Sequence, residues 1–420
     1  MEALIIFNAL ISVIFTLCYA YQFIYLFVGL LKRPQKFRSK KEHKFAVVIS
    51  ARNEREVIAQ LIDSIKNQNY PKDKLDVFVI ADNCTDDTAE VARKAGAIVH
   101  ERFNDKLVGK GYALDWMFKI IEKDYADEGY EGYMIFDADN LLDDNYVAEM
   151  NKVFDSGYKV ITSYRNSKNY DSNWISAGYS LWFLREAKYL NNSRMQLGTS
   201  CAISGTGFLV SAEIIRNNGG WIHHLLTEDI EFTVDSVIHG VKIGYAANAI
   251  LYDEQPTLFR QSYNQRLRWA KGFYQVFAKY GLGLVKGMFK GSFACFDMLM
   301  TVAPAMLLTL LTVVINAIAI PFGLINNLPE TSALIQTLGQ TVMNFYGLFF
   351  VLGVVTTITE WNQIHCKGYK KIGYLFTFPL FMFTYVPIAI IALFKKVQWK
   401  PIKHNVVRTL DDVRGSTEAA

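Results

Sequence analysis

The chain has only five cysteines in 420 residues (Cys18, Cys84, Cys201, Cys295 and Cys366), widely spaced and without a C-x-x-C pair. An odd, scattered set excludes a disulfide scaffold and offers no zinc spacing, which fits a catalytic face in a reducing compartment. Charge is scarce too: 20% of residues are charged and the formal net charge is +4 with the signs mixed. No global field draws nucleic acid, and the local basic clusters adjoin apolar runs without a recognition motif, so nucleic acid is not an expected partner. Neither G-x-G-x-x-G nor G-x-x-x-x-G-K-[ST] occurs, which leaves a dinucleotide fold or a P-loop without support. At 51% hydrophobic and 14% aromatic the chain is far too apolar for a disordered or fibrous protein.

What the chain has in abundance is uncharged sequence near its two ends. Residues 3–31 carry no charge, and about 20 apolar residues suffice to cross a bilayer. The run is too long for a signal-peptide core and lacks a cleavage pattern, so it reads as a retained anchor. Lys32, Arg33, Lys36, Arg38, Lys40, Lys41 and Lys44 follow against a single acid, Glu42, and the positive-inside rule places that flank in the cytosol. Three more uncharged stretches, 298–329, 331–359 and 372–394, are long enough to span. If the last crosses fully, the basic tail with Lys395, Lys396, Lys400, Lys403 and Arg408 lies outside, against the rule. Either that segment, which holds Pro379 and Pro387, is bent or re-entrant, or the tail is an exception. The expected division is an anchor with its basic flank (1–44), a soluble domain (45–264), interfacial amphipathic helices (265–297), membrane segments (298–394) and a basic tail (395–420).

In the soluble stretch short β-branched runs alternate with helical periods, the pattern of βαβ units and a mostly parallel sheet. Strands are expected at 45–50, 76–82, 97–100 and 133–139, with helices over about 54–67, 88–95 and 112–122. Two strands end on carboxylates, Asp82 and the pair Asp137-Ala138-Asp139. In open α/β sheets ligands bind beyond the strand carboxyl ends, so these acids fall on the ligand rim.

Paired carboxylates at a strand end suit Mg²⁺ or Mn²⁺ bridging a diphosphate, although Asp is also a turn former. Asp82 can accept hydrogen bonds from a ribose or base, and Arg52-Asn53-Glu54 closes the first strand beside it. Thr227-Glu228-Asp229 precedes an amphipathic helix. Capping explains it in part, and Asp229 can also serve as a base toward a sugar hydroxyl. Gln265-Arg266-Leu267-Arg268-Trp269 puts two guanidiniums and an indole in one helical turn, able to pair with a diphosphate and stack on a sugar. The competing reading is a basic interfacial helix.

The ordered set Asp82, Asp137-Ala138-Asp139, Thr227-Glu228-Asp229 and Gln265-Arg266-Leu267-Arg268-Trp269, framed by membrane segments, resembles the D, DxD, TED, QxxRW series of the processive family-2 glycosyltransferases. These are the synthases of cellulose, hyaluronan, poly-N-acetylglucosamine and related glycans. The resemblance covers essentially the whole chain. It implies an α/β GT-A domain, Rossmann-like and nucleotide-sugar-binding, on the cytosolic face of the plasma membrane and inserted between transmembrane helices. It further implies a UDP-sugar donor, a growing polysaccharide acceptor, Mn²⁺ or Mg²⁺ as cofactor, and inversion to a β-linkage. By position, Asp82 and Glu54 belong to the donor site, Asp137 and Asp139 hold metal and diphosphate, and Asp229 is the general base beside Glu228. Gln265, Arg266, Arg268 and Trp269 seat the diphosphate and the terminal sugar. Lys110, in Gly109-Lys110-Gly111, matches the family's lysine-containing donor segment, and Ser204-Gly205-Thr206 occupies the place of the loop that cradles the acceptor. That loop often has a cysteine where Ser204 stands.

The tail segment with Trp399 and Lys400 is similar to the short elements that close the donor site in such synthases, against a plain membrane-surface tail. Known processive synthases line their glycan passage with more spanning helices than this chain offers, which implies a homo-oligomer or a small membrane partner subunit. The segment 109–114 departs from the poly-N-acetylglucosamine, hyaluronan and cellulose synthase forms. The expected product is a β-glucan made from UDP-glucose, mixed 1,3/1,4-linkage included. Poly-N-acetylglucosamine, another capsule glycan or a single sugar added to a lipid are the alternatives, and a nucleotide-binding transport or scaffold protein is the rival from another class.

Overall fold

The computed structural model describes residues 2–399, 401, 402, 404 and 406–415, except the side chains of residues 304 and 306. Eight strands form one mixed sheet in the order β3-β2-β1-β4-β7-β6-β8-β5. Strand β1 (Phe45–Ala51) lies at the centre of a parallel half, between β2 (Leu75–Asp82) and β4 (Gly132–Asp137), with β3 (Ile98–Arg102) outside β2. The near-continuous apolar run of β1 is what a strand covered on both faces requires. The crossover helix Ile58–Lys66 buries Ile58, Leu61, Ile62 and Ile65 on one side, a 3.6-residue period.

The other half departs from the expected parallel order. Strand β7 (Phe208–Ser211) runs antiparallel to both β4 and β6 (Val160–Ser167), and the short β5 (Leu141–Leu142) is antiparallel to β8 (Ile243–Asp253). A register shift between Ser163 and Tyr164 against β8 sets Arg165 opposite Leu251. Irregularities of this kind re-aim side chains at sheet rims.

The expected helix at 54–67 starts only at Ile58, because Asn53 takes a left-handed backbone (φ 59°) and Glu54 is held apart by its N–H donating to Thr88 Oγ1. Asn83, after β2, does the same (φ 52°). Asn tolerates this region better than other side-chain-bearing residues, so two sharp turns open the rim beyond β1 and β2.

Three helical segments, Glu2–Leu31, Phe293–Ile325 and Thr331–Thr359, are long and apolar enough to cross a membrane. A further pair, Gly368–Leu375 and Phe378–Phe394, is bent by 47°. Both ends of that pair return to the α/β domain: Lys370 Nζ donates to Asp171 Oδ2 (3.1 Å), and beyond residue 394 His404 Nδ1 reaches Glu54 Oε1 (3.0 Å). The first and second segments are tied by reciprocal amide bonds between Asn8 and Asn316, 2.9 Å each way. They are also joined through buried Asp297, which accepts from Tyr21, Tyr25 and the Arg194 guanidinium.

Candidate active site

The rim beyond β1, β2 and β4 collects Glu54, Asp82, Asp137 and Asp139. Asp82 is buried and paired with Arg102, its parallel neighbour on β3, whose second nitrogen donates to Leu107 O (2.6 Å). Burial raises the Asp82 carboxyl above its ordinary value against the pull of that guanidinium. Asp137 keeps a half-open carboxylate that accepts from Lys110 Nζ at 2.5 Å. Asp139 is buried, and its Oδ2 accepts from Glu254 N (2.9 Å).

The 204–206 loop joins this rim to the helix Glu228–Ile238. Gly205 has φ +78°, a conformation that a side chain disfavours. Its carbonyl accepts from Lys110 Nζ (2.9 Å), while its N–H donates to Asp229 Oδ2 (2.6 Å). One residue thus fixes the spacing between the lysine and the candidate base. Thr206 Oγ1 donates to Asn140 Oδ1 and accepts from Asp137 N (2.9 Å), so the same loop also holds the Asp137–Asp139 turn. From below, Arg165 donates to Ser204 O (2.9 Å) and pairs with Asp253.

Electrostatics divides the acids. Burial, then the neighbouring Asp229, pushes Glu228 up to about 7. Burial raises Asp229 as well, opposed by the N–H groups of Ile230 and Gly205 and by the charges of Lys110 and Arg268. Burial acts against the Lys110 ammonium, but Asp137 and Glu228 outweigh it and keep the group charged. Buried acids with raised values beside cations are perturbations of the kind that cluster at functional sites.

The helix Phe259–Phe289 carries the motif beginning at Gln265. It approaches the Thr227 turn closely because Gly272 has no side chain: a Cβ there would meet Thr227 Oγ1 at 2.4 Å. Arg268 donates to Leu226 O (3.1 Å), and Trp269 packs edge-on against Tyr179 and Phe183, with centroids 5.7 and 6.2 Å apart. The buried Gln265 Oε1 has no hydrogen-bond partner among the described residues. Arg266 departs from expectation. It points away from the cleft, fully buried, donating to Phe381 O (3.3 Å) and Thr384 Oγ1 under the rings of Phe381 and Tyr385. Its guanidinium therefore anchors the bent segment and lies apart from that of Arg268.

Trp399 lies beside the rim, with the Arg52 guanidinium 5.4 Å from its ring centroid. Lys400 lies outside the described residues. His404, the last residue of the candidate closing segment 397–404, stands between Glu54 and Asp139 (Nε2 to Oδ2 3.9 Å), contacts that the sequence did not single out. Burial disfavours its charge, but Asp139 and Glu54 override that and raise it to about 10. Arg102 and Arg165 were missed as well. The available signal was weak: each is a charged residue near the carboxyl end of a strand.

The family model described as glycosyltransferase like family 2 matches residues 43–272. The chain is 24% identical over 240 residues to the beta-monoglucosyldiacylglycerol synthase of Synechocystis, covering 56% of this chain and 48% of that protein. It is 24% identical over 243 residues to the poly-beta-1,6-N-acetyl-D-glucosamine synthase of Staphylococcus epidermidis, covering 56% and 57%. The chain thus spans about half the length of the curated relatives it matches. In fold it is similar to the mannosyltransferase PcManGT of Pyrobaculum calidifontis, solved with GDP-Man and Mn²⁺, with a TM-score of 0.59, 15% identity, and 91% and 97% of the two chains covered.

Proposed function

The chain belongs to the glycosyltransferase family 2 group, and from that premise we propose that it moves hexose units from a UDP-sugar to a hydroxyl acceptor at a membrane, with inversion, building a β-glycan. UDP-glucose and a β-glucan, mixed-linkage included, are the donor and product we favour. The observation that carries the reading is the bridge through Gly205, which sets Asp229 and Lys110 on one loop facing the strand-end carboxylates.

In this reading Asp229 takes the proton from the attacking hydroxyl, and its raised affinity for protons suits that task. Lys110 and Arg268 meet the charge that develops on the departing diphosphate. Asp82, locked by Arg102, presents a fixed acceptor to the uridine and ribose. Glu54 lines the donor side, Glu228 orders the base, and Ser204 to Thr206 shape the acceptor floor. Gln265 and Trp269 seat the acceptor sugar, and Trp399 closes over Arg52.

Among the described residues no three His, Cys, Asp or Glu side chains form a closed metal cage. Asp137 and Asp139 nevertheless fit Mg²⁺ or Mn²⁺, which takes one or two carboxylates and shares substrate phosphates, and His404 stands alongside. When bound, such an ion neutralises diphosphate charge.

The basic flank after the first segment supports a cytosolic α/β domain at the plasma membrane. Because the bent pair leaves and rejoins that domain, we read it as re-entrant, which leaves three crossings. Three helices are few for a glycan passage, so a second copy or a small membrane subunit completes it. The same count favours a second reading, transfer of one sugar to a glycerolipid.

The deciding assay is incubation in vesicles with Mn²⁺ and each of UDP-glucose, UDP-N-acetylglucosamine, UDP-galactose and UDP-glucuronate. UDP release and product mass are followed, with linkage-specific glucanase digestion. A long digestible polymer with one donor supports the synthase, and a single sugar on lipid supports the second reading. Asp229→Asn is expected to lower transfer about 10²–10⁴-fold; transfer at the original rate in that variant would overturn the assignment.

A further inference from the structure

A half-buried carboxylate outside the proposed machinery stands at the edge of the acceptor floor. Glu186 opens a π-helical turn, Glu186–Asn191, that continues the helix Trp174–Arg185. Such turns are rare and occur often at functional sites, because the extra residue swings a side chain out of the helical pattern. Here consecutive residues are aimed apart. Arg185 reaches Gln22 Oε1 of the first membrane segment (2.7 Å) and stacks on Trp182, while Glu186 faces the 204–206 loop.

Among the described residues the Glu186 carboxylate has one hydrogen-bond partner, Ser204 Oγ at 3.5 Å. An ionised carboxylate can accept about four hydrogen bonds, so this half-buried one keeps acceptor capacity open toward the space in front of it. The cations near it are committed elsewhere: Arg165 to Asp253, Arg194 to Asp297 and Arg185 to Gln22. The pocket in front of it, lined by Ser163, Arg165, Phe183, Ser204 and Thr206, retains about 10 Å³ of free space. That is roughly the room one water oxygen needs. Arg165 lies 3.7 Å from the Phe183 ring centroid, which fixes the apolar wall.

We propose that Glu186 is an acceptor-binding residue, which takes a hydrogen bond from one hydroxyl of a polyhydroxylated acceptor while another hydroxyl of the same molecule lies at Asp229. This rests on the transfer reaction proposed above and adds to it the residue that reads the acceptor. The geometry is local: Ser204 meets Glu186, and the next residue, Gly205, donates to Asp229. A sugar, or a glycerol with two free hydroxyls, offers more than one hydroxyl to such a pair.

The test uses the full chain in nanodiscs, with 1-monooleoylglycerol, which keeps two free hydroxyls, and cellotetraose as acceptor probes. It compares wild type, Glu186→Gln, Glu186→Ala and Asp229→Asn. The KM for acceptor, the KM for donor and acceptor-free donor hydrolysis are measured. Glu186→Gln is expected to raise the acceptor KM roughly tenfold or more, as loss of a charge-assisted bond should, with donor KM and acceptor-free hydrolysis unchanged. A change with one probe only names the source of the hydroxyl. An unchanged acceptor KM in Glu186→Gln, with Asp229→Asn inactive, overturns the Glu186 assignment and leaves the transfer reaction standing. If wild type transfers to neither probe, that reaction fails for these acceptors. Tryptophan fluorescence titration with the same probes then decides separately: binding equal in wild type and Glu186→Gln, or absent from both, overturns the assignment. Should Glu186→Ala not fold, the near-isosteric Gln variant carries the comparison.

Discussion

Gly111→Ala separates local propensity from tertiary contact. Gly111 is the second residue of the helix Lys110–Asp124, where alanine is favoured over glycine by about 1 kcal/mol on propensity alone. A Cβ there would lie 2.2 Å from the carbonyl oxygen of His223 and 3.3 Å from the Cα of His224. The first separation is roughly 1 Å or more short of ordinary contact. The obstacle is backbone, and it is firmly held. His223 is buried and bound to Asp235 (3.0 Å), and His224 stacks on Tyr112 with centroids 4.3 Å apart. Overpacking of this kind costs about 1–3 kcal/mol, and a fixed carbonyl points to the upper end, so about 2 kcal/mol net remains after the propensity gain. For a domain of this size that lowers the melting temperature by about 4–8 °C. Relief by shifting the helix start moves Lys110 off Gly205 and Asp137, and a misplacement of about 1 Å can cost 10²-fold in rate. Thermal unfolding followed by intrinsic fluorescence, with single-turnover transfer, reads both effects. A variant with a raised melting temperature and normal turnover would refute the reasoning.

Asp82→Asn leaves Arg102 buried beside a neutral partner and is expected to cost about 3–5 kcal/mol in chemical denaturation, with part recovered in Asp82→Asn/Arg102→Met. The transfer rate should climb with pH along an acid limb lying above the ordinary 3.8 of an aspartate, because burial raises Asp229; a limb at or below that value would contradict the assignment. Glu228, raised from 4.5 to about 7, binds its proton more tightly folded than unfolded. Its stability contribution is therefore complete below pH 4.5 and is lost as pH rises through about 7, and Glu228→Gln should flatten that decline in melting temperature. In vesicles made with the native cysteines replaced, Asn327→Cys and Asp411→Cys should label from opposite faces, and labelling from one face would sink the three-crossing arrangement.

The order of strands and long apolar helices was legible because each depends on local pattern. The runs at β1, β2 and β4 read as strands from β-branched composition, and the uncharged stretches declared their length. The mixed half of the sheet was not legible, since the direction of β7 depends on which neighbours it meets and not on its own four residues. Arg266 shows a limit of a different kind. Gln265 and Arg268 stand at i and i+3 on one helix face, whereas Arg266 is two residues from Arg268 and so roughly 200° away around the axis, on the flank it shares with Trp269 at Tyr179. The motif puts two guanidiniums in one turn, but the helix sends them to opposite sides.

The sequence by itself determined the helices long and apolar enough to cross a membrane, the α/β core between them, and the carboxylates that end its strands, because hydrophobic length and side-chain period are properties of contiguous residues. Only the tertiary structure decided how those groups meet. Gly205 bridges Lys110 and Asp229, Glu186 faces Ser204 from a π-helical turn, and His404 reaches Glu54 across 350 positions of chain. Each of these contacts joins residues that no local period relates, and each forms only once the packed sheet and helices have fixed the distances between them.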